Sequence, residues 1–384
     1  MKLLVVHWGA YTHLDIIQAF AKMQIHTKVM DYGFQDKNQD EVFEAWLTSE
    51  LNEIAYDAVF TVNYFPVIAK VCGKCGRKYL SWSYDCPLNV YDIEDTLGLP
   101  TNYVFLFDRI QVKTYRARGF TNVYHLPLGI SSERLKGIAV TREELPFYEA
   151  DIAFVGKLYQ SMLPIIAAGM DDYTRGYLNA IAEMQRKVYG AFFAENLLTK
   201  ELLTNINRQL TDTSWQYGVI SREQFLYALA TYITYKERVM LLKQLSERHH
   251  LKLYSGEASH ELDKVIYQGR VSYLNEMPKV FAASKINLNI TVKNTQSGMP
   301  LRVLDIMGCG GFLLSNYQPE LVEFFVPDVD FVYYESIEDA LEKADFYLHH
   351  ESERKKIAAN GCQKCHEQFD YEQQLSKLFY LSNI

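Results

Sequence analysis

Short apolar runs alternate with longer segments of helical character over residues 1 to 130. Strand-like runs cover residues 3–6, 27–32, 57–62, 78–84, 103–108 and 122–128, and the segments between them are long enough for crossover helices. This alternation is typical of parallel strands joined by helices. The pattern therefore predicts a parallel sheet with helices on both faces.

A second alternating series begins at 151–156 and resumes at 251–256, 264–269, 285–290, 311–316 and 330–335. Residues 160–240 contain no strand-like run and many helix formers, which predicts a helical insertion. The charged segment 131–150 has no clear apolar period and is predicted to be a linker. We therefore predict an α/β chain of two doubly wound domains, 1–148 and 149–366, that face each other across a cleft. Ligands of such folds bind outside the carboxyl ends of the strands.

Composition and charge narrow the possible partners. The chain has 384 residues, is 48% apolar and carries a formal charge of −8, with its Lys and Arg residues scattered. Because phosphate neutralisation needs a concentrated basic face, we expect no nucleic-acid partner. No stretch reaches the roughly 20 apolar residues of a membrane span, and the N-terminus lacks a secretory signal. We expect a soluble, cytoplasmic protein with six reduced cysteines, and no pattern indicates an oligomeric state.

Residues 297–312 read SGMPLRVLDIMGCGGF and carry the strongest candidate chemistry. They predict a loop at the carboxyl end of the strand 285–290, followed by a helix from about Leu301 to Cys309. The N-terminus of such a helix favours an anion such as a diphosphate. Arg302 in the first turn can contact a phosphate, and Asp305 one turn later can accept hydrogen bonds from ribose or hexose hydroxyls. The alternative is that the two form a surface ion pair of little energetic value.

The stretch resembles the nucleotide-sugar binding motif of GT-B glycosyltransferases, in particular of glycosyltransferase family 4. It resembles the CgeB-like (spore maturation protein) group more closely, in which arginine is usual at the place of Arg302. The positions in register with the motif are Leu301, Val303, Leu304, Met307, Cys309 and Gly310. The resemblance implies a GT-B architecture, a nucleotide-diphosphate sugar as donor, a hydroxyl acceptor and no cofactor or metal. It also implies that Asp305 binds the ribose.

Ser297 departs from this resemblance. It stands where family 4 has a glutamate that contacts the transferred sugar, so the sugar and the stereochemical outcome stay open. The departure also leaves open a non-catalytic nucleotide-sugar or glycan-binding protein. An epimerase or a phosphorylase is a further alternative, since one fold supports several chemistries.

The resemblance extends from about Asp151 to the C-terminus and implies further donor contacts. Gly156 and Lys157 are expected near the diphosphate, and Gly269, Tyr273 and Met277 on the nucleotide side. Ser297, Gly298 and Leu301 complete the expected donor-binding set at the loop and the helix start. The last helix, 367–384, is expected to return to the N-terminal domain.

The acceptor is expected on the N-terminal domain. Residues 82–92 follow a predicted strand and resemble a segment that often accompanies the CgeB-like module, which makes Asp85 a candidate acceptor ligand or general base. His13, near the start of the first helix, is a second candidate base. Gly9 permits close approach of a ligand. The alternative for His13, and equally for His7, is a purely structural role.

Two further patterns predict structure more than chemistry. Cys72 and Cys75, and Cys362 and Cys365 with His366, have C-x-x-C spacing. We favour ordinary helix cysteines, with a shared zinc site or a haem attachment as alternatives. Asp328-Val329-Asp330 spells the metal motif of another glycosyltransferase fold, but it follows a proline and predicts a turn.

Overall fold

The computed structural model describes residues 1–88, 90, 93–211 and 218–384. Asn89, Tyr91 and Asp92 of the predicted acceptor segment 82–92 lie outside the described residues, as do residues 212–217 of the predicted helical insertion.

The strands follow one another at intervals that leave room for helices. They are β1 (Lys2–His7), β2 (His26–Asp31), β3 (Ala58–Val62), β4 (Lys78–Ser83), β5 (Asn102–Leu106), β6 (Val123–His125), β7 (Ile152–Val155), β8 (Leu251–Tyr254), β9 (Ile266–Tyr267), β10 (Ile286–Asn289), β11 (Leu313–Asn316) and β12 (Val332–Tyr334). Each lies within one residue of a predicted run or inside it. The strand predictions are confirmed.

The helices fill the intervals between the strands and close the chain. They are α1 (His13–Lys22), α2 (Glu41–Glu53), α3 (Pro66–Lys74), α4 (Glu94–Leu97), α5 (Arg109–Ala117), α6 (Ser132–Lys136), α7 (Leu145–Tyr148), α8 (Leu163–Ala167), α9 (Asp172–Arg186), α10 (Ala194–Leu197), α11 (Lys200–Thr211), α12 (Arg222–Ser246), α13 (Met277–Ala283), α14 (Leu301–Gly308), α15 (Pro319–Phe324), α16 (Ile337–His349), α17 (Glu351–Gln368) and α18 (Tyr371–Leu381). Within the described ranges, none of these helices is both long enough and apolar enough to cross a lipid bilayer.

The helical predictions agree with the structure, with one difference in the linker. The insertion contains α8 to α12, and α14 ends one residue before the predicted Cys309. The segment predicted as a linker contains the short helices α6 and α7. Ser131 starts α6 by accepting a hydrogen bond from the Arg134 amide. A helix of a single turn is too short to show an apolar period, and a side-chain cap adds none. The sequence pattern therefore did not indicate α6 and α7.

Contacts divide the chain into two compact units. Unit 1 consists of Met1–Gly137, Gly298–Gly308 and Gln363–Ile384, and unit 2 of Ile138–Ser297 and Cys309–Cys362. The sequence placed α14 within the C-terminal domain, whereas its contacts group it with unit 1.

The sheet of unit 1 is parallel, in the order β2-β1-β3-β4-β5-β6. The chain leaves β1 for β2 on one side and then crosses to β3 on the other. The loops after β1 and β3 therefore run in opposite directions from the carboxyl ends of these strands. The place between the two strands is a topological switch point. Leu4, Val59 and Val104 of this sheet pack into one core with Leu47 of α2 and Ile68 of α3.

The sheet of unit 2 is also parallel, in the order β12-β11-β10-β7-β8-β9. Its switch point lies between β7 and β10, whose pairing sets Ile286 against Ile152 and Leu288 against Phe154. Leu241 of α12 and Ala344 of α16 pack in the same core. The helical insertion has a core of its own, which includes Leu178, Ile206 and Phe225. Within the described residues the two sheets have six strands each, and this confirms the predicted α/β class with two doubly wound sheets.

The C-terminal end of α14 is anchored by the second C-x-x-C segment. Cys365 Sγ donates to the carbonyl of Leu304 at 3.5 Å, and His366 Nε2 lies 2.9 Å from the carbonyl of Gly308. Since a carbonyl can only accept, Nε2 carries the proton, and Nδ1 accepts from Ser132 Oγ at 2.8 Å. Burial, aided by Lys136, lowers the pKa of His366 and keeps this neutral form.

Three of the four paired cysteines lie in helices as predicted, Cys72 in α3 and Cys362 and Cys365 in α17, while Cys75 directly follows α3. Cys72 is buried in the core of unit 1, and none of the four forms a disulfide. No group of three His, Cys, Asp or Glu side chains with the spacing of metal ligands occurs among the residues that the structure describes.

We predict that Gly308→Ala destabilises unit 1. A Cβ at Gly308 would lie 2.8 Å from Ile130 Cδ1 and from Leu135 Cδ1, closer than side chains approach. Overpacking of this kind costs about 1–3 kcal/mol of unfolding free energy, which the better helix propensity of alanine offsets by up to about 1 kcal/mol. Urea unfolding measures the loss as a lower transition midpoint. Gly33→Ala is the control, because a Cβ there meets no atom within 4 Å. Equal midpoints for the two variants would show that α14 does not pack as described.

Candidate functional site

The switch point of unit 2 gathers several predicted donor residues. Gly156 and Lys157 follow β7 directly, and Lys157 is exposed. Ser297 lies in the loop between β10 and α14. Both loops leave the carboxyl edge where strand order reverses, which is where doubly wound sheets bind ligands.

Arg238 of α12 holds these two loops at a fixed spacing. Its Nη1 donates to the carbonyl of Lys157, and its Nη2 donates to the carbonyl of Ile290. The guanidinium lies 5.1 Å from the ring centroid of Phe154 and 4.8 Å from that of Tyr159. Arg238 is buried, and its planar fork suits two divergent carbonyls. The sequence pattern was not used to identify Arg238, although an arginine inside an apolar helical stretch was an available signal.

A buried ion pair anchors the loop after β10. Lys293 Nζ lies 2.8 Å from Glu237 Oε2, with side chains 4% and 1% exposed. Lys293 Nζ also donates to the carbonyl of Arg186, and its backbone amide donates to Thr234 Oγ1. Burial lowers the pKa of Lys293, while the charge of Glu237 opposes this. These contacts fix the loop against α9 and α12, and the pattern of the sequence did not reveal them.

Ser297 is paired with a carboxylate from elsewhere in unit 2. Its Oγ donates to Glu320 Oε1 at 2.7 Å, and the Glu320 amide donates to the Ser297 carbonyl at 3.0 Å. Ser297 and Glu320 are 4% and 2% exposed. Ser297 stands where the family motif has an acid, and it is hydrogen-bonded to another acid, Glu320, from the first turn of α15. No local pattern in the sequence indicated Glu320.

The predicted nucleotide-side residues lie between β9 and α13. Gly269 has φ +77°, and a Cβ there would meet no atom within 4 Å. Tyr273 is half-buried. Met277 begins α13, is 3% exposed, and donates its amide to the carbonyl of Ser272. Gly269 and Tyr273 thus lie on the accessible side of this segment, whereas the Met277 side chain belongs to the interior.

The loop into α14 is held within unit 1 by Asp108. The Gly298 amide donates to Asp108 Oδ2 at 3.1 Å, and Asp108 Oδ1 caps α5 by accepting from the Gln111 amide. A Cβ on Gly298 would lie 2.7 Å from Phe107 and 3.0 Å from the Asp108 Cα. Packing therefore requires glycine at this position. Leu301, the first residue of α14, is half-buried.

Arg302 and Asp305 do form an i,i+3 pair, but it is not a surface pair. Arg302 Nη1 lies 3.7 Å from Asp305 Oδ2, and the side chains are 27% and 3% exposed. Burial raises the pKa of Tyr371 well above its usual value, with smaller contributions from Asp15 and Asp305. Asp305 thus faces the interior of unit 1, and its role in ribose binding stays a prediction.

The carboxyl end of β1 brings two histidines together. The rings of His7 and His13 stack with centroids 3.7 Å apart, and His7 Nδ1 lies 2.6 Å from Asp31 Oδ1. His13 is 8% exposed. Burial, with the charge of His7, lowers the pKa of His13 to about 4, although Asp31 opposes this. His13 is therefore neutral near pH 7.

Asp85 lies at the carboxyl end of β4 and is bound to the loop after β3. Its Oδ2 accepts from Asn63 Nδ2 at 2.8 Å, and Asn63 Oδ1 accepts from the amides of Tyr84 and Asp85. Asn63 adopts φ +66°, which asparagine tolerates better than most residues. The structure thus places Asp85 beside the switch point of unit 1, and its catalytic role stays a prediction.

The Asp328-Val329-Asp330 segment is a turn, as predicted. Asp328 has φ +59°, and its amide donates to the Phe331 carbonyl. Asp330 Oδ2 accepts from the Val326 amide at 2.8 Å. The second carboxylate is therefore used within the turn.

Comparison of the sequence with known families yields one match. Residues 237–379 match the sequence profile of a family described as "Glycosyl transferase-like". This range includes β10, α14 and α15. Among curated proteins, none matches the chain in sequence.

Solved structures resemble the chain over its whole length. Anabaena Alr3699/HepE in complex with UDP and glucose has a TM-score of 0.56 at 10% identity, with 100% of both chains covered. The same protein in complex with UDP-glucose gives 0.54 at 11% identity and the same coverage. Sucrose-phosphate synthase from Thermosynechococcus elongatus gives 0.59 at 10% identity, covering 99% of this chain and 98% of that one.

At such identities the structural likeness establishes the fold, and the matched segment indicates the class of enzyme. The two parallel sheets with their helices match the two Rossmann-like domains of GT-B proteins. The glycosyl transferase-like segment spans the loop, helix and carboxylate described above. The chain therefore has the GT-B fold and, on the match over 237–379, is a glycosyltransferase.

Proposed function

We propose that the donor is a UDP-sugar and that the sugar is transferred to a hydroxyl group without a metal ion. The observation that carries the proposal is the glycosyl transferase-like match over 237–379, which covers the loop after β10 and α14. The uridine nucleotide is supported by the structural neighbour from Anabaena, which was solved with UDP and with UDP-glucose.

In this proposal Gly156 and Lys157 bind the diphosphate at the switch point of unit 2. Lys157 is exposed, and Arg238 fixes the backbone that carries it through the Lys157 carbonyl. A cation held in place stabilises the negative charge that develops on a departing diphosphate. Gly269 and Tyr273 lie on the accessible side of their segment and are proposed to approach the nucleotide.

Glu320 is proposed to take the place of the acid that the motif has at position 297. Its carboxylate lies 2.7 Å from Ser297 Oγ. Glu320 is in the first turn of α15, where the helix dipole stabilises its negative charge. The hydroxyl of Ser297 orients the carboxylate. A contact of Glu320 with the transferred sugar would restore the role that the serine alone cannot perform.

For the residues of α14 and of the acceptor side, we propose the roles expected from the sequence. Arg302 is proposed as a second diphosphate ligand and Asp305 as a ribose ligand, as the resemblance implies. His13 and Asp85 are the proposed proton acceptors for the acceptor hydroxyl. His13 is neutral near pH 7 and so able to accept a proton, but its pKa of about 4 makes it a weaker base than an ordinary histidine, and its side chain is 8% exposed.

Membership of the CgeB-like group is also proposed. It is supported by Arg302, which stands where that group usually has arginine, and by the register of α14 with the motif.

We predict that Lys157→Gln weakens UDP binding while the fold is retained. Loss of a hydrogen bond to a charged group costs about 1.5–3 kcal/mol, so the Kd should rise by about 10- to 100-fold. Isothermal titration calorimetry measures this directly. Lys356→Gln is the matched control, because Lys356 is an exposed lysine on α17 of the same unit. A Kd for Lys157→Gln within two-fold of the control's would contradict the placement of the diphosphate.

Arg302→Gln should likewise raise the Kd for UDP by about 10-fold or more if the guanidinium contacts the diphosphate. The control is Arg175→Gln, which removes the arginine of an exposed i,i+3 pair with Asp172 on α9. Both variants lose one positive charge and one i,i+3 ion pair, so a larger loss of UDP affinity in Arg302→Gln reports a contact with the ligand. Equal UDP affinities of the two variants would show that Arg302 pairs with Asp305 but does not contact the diphosphate.

We predict that EDTA leaves turnover unchanged within two-fold. The reason is that the leaving diphosphate is stabilised by fixed side chains, while Asp330 is bound to the Val326 amide in its turn. UDP release from UDP-glucose, with water as the acceptor, provides the assay. Activity that disappears with EDTA and returns with Mg²⁺ or Mn²⁺ would show that the transfer needs a metal.

A further inference from the structure

We propose that one exposed face of α9 is a homodimer interface, in which two copies of this helix pack antiparallel across a twofold axis near Ala180. The partner is thus a second copy of this chain. The inference concerns association alone and does not depend on the proposed donor or acceptor. It is argued from the helical insertion of unit 2, to which α9 belongs.

Exposed apolar side chains are concentrated in the helical insertion. Twenty large apolar side chains are exposed among the described residues, and eight of them lie between positions 162 and 227. An excess of this kind marks a surface suited to contact with another molecule. Four of the eight belong to α9 or directly follow it: Tyr173, Tyr177, Met184 and Val188.

These four side chains and the exposed Ala180 form one face of α9. Their positions are separated by four, three, four and four residues, the spacing of side chains that share one face of a helix. The helix has 15 residues and is therefore about 22 Å long, so this α9 face runs along its whole length. The small side chain of Ala180 at the centre lets a second helix approach closely.

The α9 face is presented on a helix that is fixed to the rest of unit 2. Leu178 of α9 is buried in the core of the insertion. Glu183 binds Lys236 of α12, and the carbonyl of Arg186 at the end of α9 accepts from Lys293 Nζ at 3.0 Å. A helix held in this way loses little conformational freedom when a partner binds to it.

The charges along α9 make this face complementary to itself in the antiparallel arrangement. The first turn of the helix carries a net negative charge, and the last turn carries a net positive charge. An antiparallel pair therefore sets each acidic end beside the basic end of the other copy, and the two helix dipoles attract one another as well. The side chains that carry these charges are Asp171, Asp172 and Arg175 in the first turn, and Glu183, Arg186 and Lys187 at the end.

The position of the twofold axis determines which side chains meet. With the axis at the centre of the face, Tyr177 of one copy lies opposite Met184 of the other, where the thioether contacts the aromatic ring. Tyr173 lies at the end that meets Lys187, whose ammonium can pack on the ring, and Asp172, with a side chain 94% exposed, lies near the same lysine. Each contact occurs twice, so the association closes at a dimer.

The same charges disfavour a lipid surface as the occupant. Helices that bind anionic membranes carry Lys and Arg around their apolar side chains. Along α9, the carboxylates of Asp172 and Glu183 lie beside the apolar face, with side chains 94% and 44% exposed. A second copy supplies a basic group for the acidic end, whereas anionic lipid would repel it.

Sedimentation equilibrium of the full chain at about 1–300 µM tests the inference by mass action. One helix pair buries less than the roughly 1,600 Å² of a standard interface, so we expect a monomer–dimer equilibrium with a Kd of about 1–100 µM. The mass should rise from 44.5 kDa towards twice that value. Tyr177→Glu should raise the Kd by about 10-fold or more, because it places a carboxylate against apolar side chains. Tyr380→Glu is the control, since Tyr380 is an exposed tyrosine on α18 of unit 1.

A charge reversal tests the antiparallel arrangement itself. Lys187→Glu sets a like charge against Asp172 of the second copy and should raise the Kd by about 5-fold. Adding Asp172→Lys restores opposite charges and should return the Kd to within about two-fold of the wild-type value. Far-UV circular dichroism shows whether each variant is folded.

Three outcomes would overturn the inference. They are a monomer mass at every concentration, equal dimerisation by Tyr177→Glu and Tyr380→Glu, and a double charge variant that dimerises no better than Lys187→Glu alone. Vesicles of phosphatidylcholine and phosphatidylglycerol test the other occupant. A monomeric chain that co-sediments with these vesicles, and no longer does so with Tyr177→Glu, would assign the α9 face to lipid instead.

Discussion

The strand order of the two parallel sheets is the constraint on which the candidate chemistry depends. Each unit begins with a central strand, β1 or β7, and the chain builds outward first on one side and then on the other. The loops after β1 and β3, and those after β7 and β10, must therefore leave the sheet in different directions. Each divergence opens the carboxyl edge, where backbone groups and side chains of several strands converge. His7, His13 and Asp85 lie at this edge in unit 1, and Lys157 and Ser297 lie at it in unit 2.

Loops that diverge from a buried edge leave polar backbone groups that need partners, and charged side chains supply them. Arg238 binds the carbonyls of Lys157 and Ile290, and Lys293 is tied to Glu237 while it donates to the end of α9. Removing one member of such a pair would leave a buried charge or carbonyl unsatisfied, which is costly. The loops after β7 and β10 are therefore held in place before any ligand arrives. Within unit 1, Asp108 at one end and His366 at the other hold α14 in the same way.

The agreement between sequence and structure is greatest where the signal is local. The strands, the insertion helices and the bounds of α14 were predicted, since each is encoded by apolar period and by neighbours within a few positions. The ion pair of Arg302 and Asp305 was considered as an alternative and is present, but Asp305 is 3% exposed instead of lying on the surface. The short helices α6 and α7 were missed because a single turn carries no period.

The sequence by itself determined the α/β class, the two series of strands, and the motif that resembles nucleotide-sugar binding. Only the tertiary structure decided which distant residues share a site. Glu320 lies 23 residues from Ser297, and Arg238 lies 81 residues from Lys157, yet each pair is joined by a hydrogen bond. Asp31 meets His7 because parallel pairing sets the ends of β1 and β2 in register. The apolar period of a sequence reflects only the local secondary structure of one segment. These contacts depend instead on the order in which strands far apart in the chain are placed in a sheet.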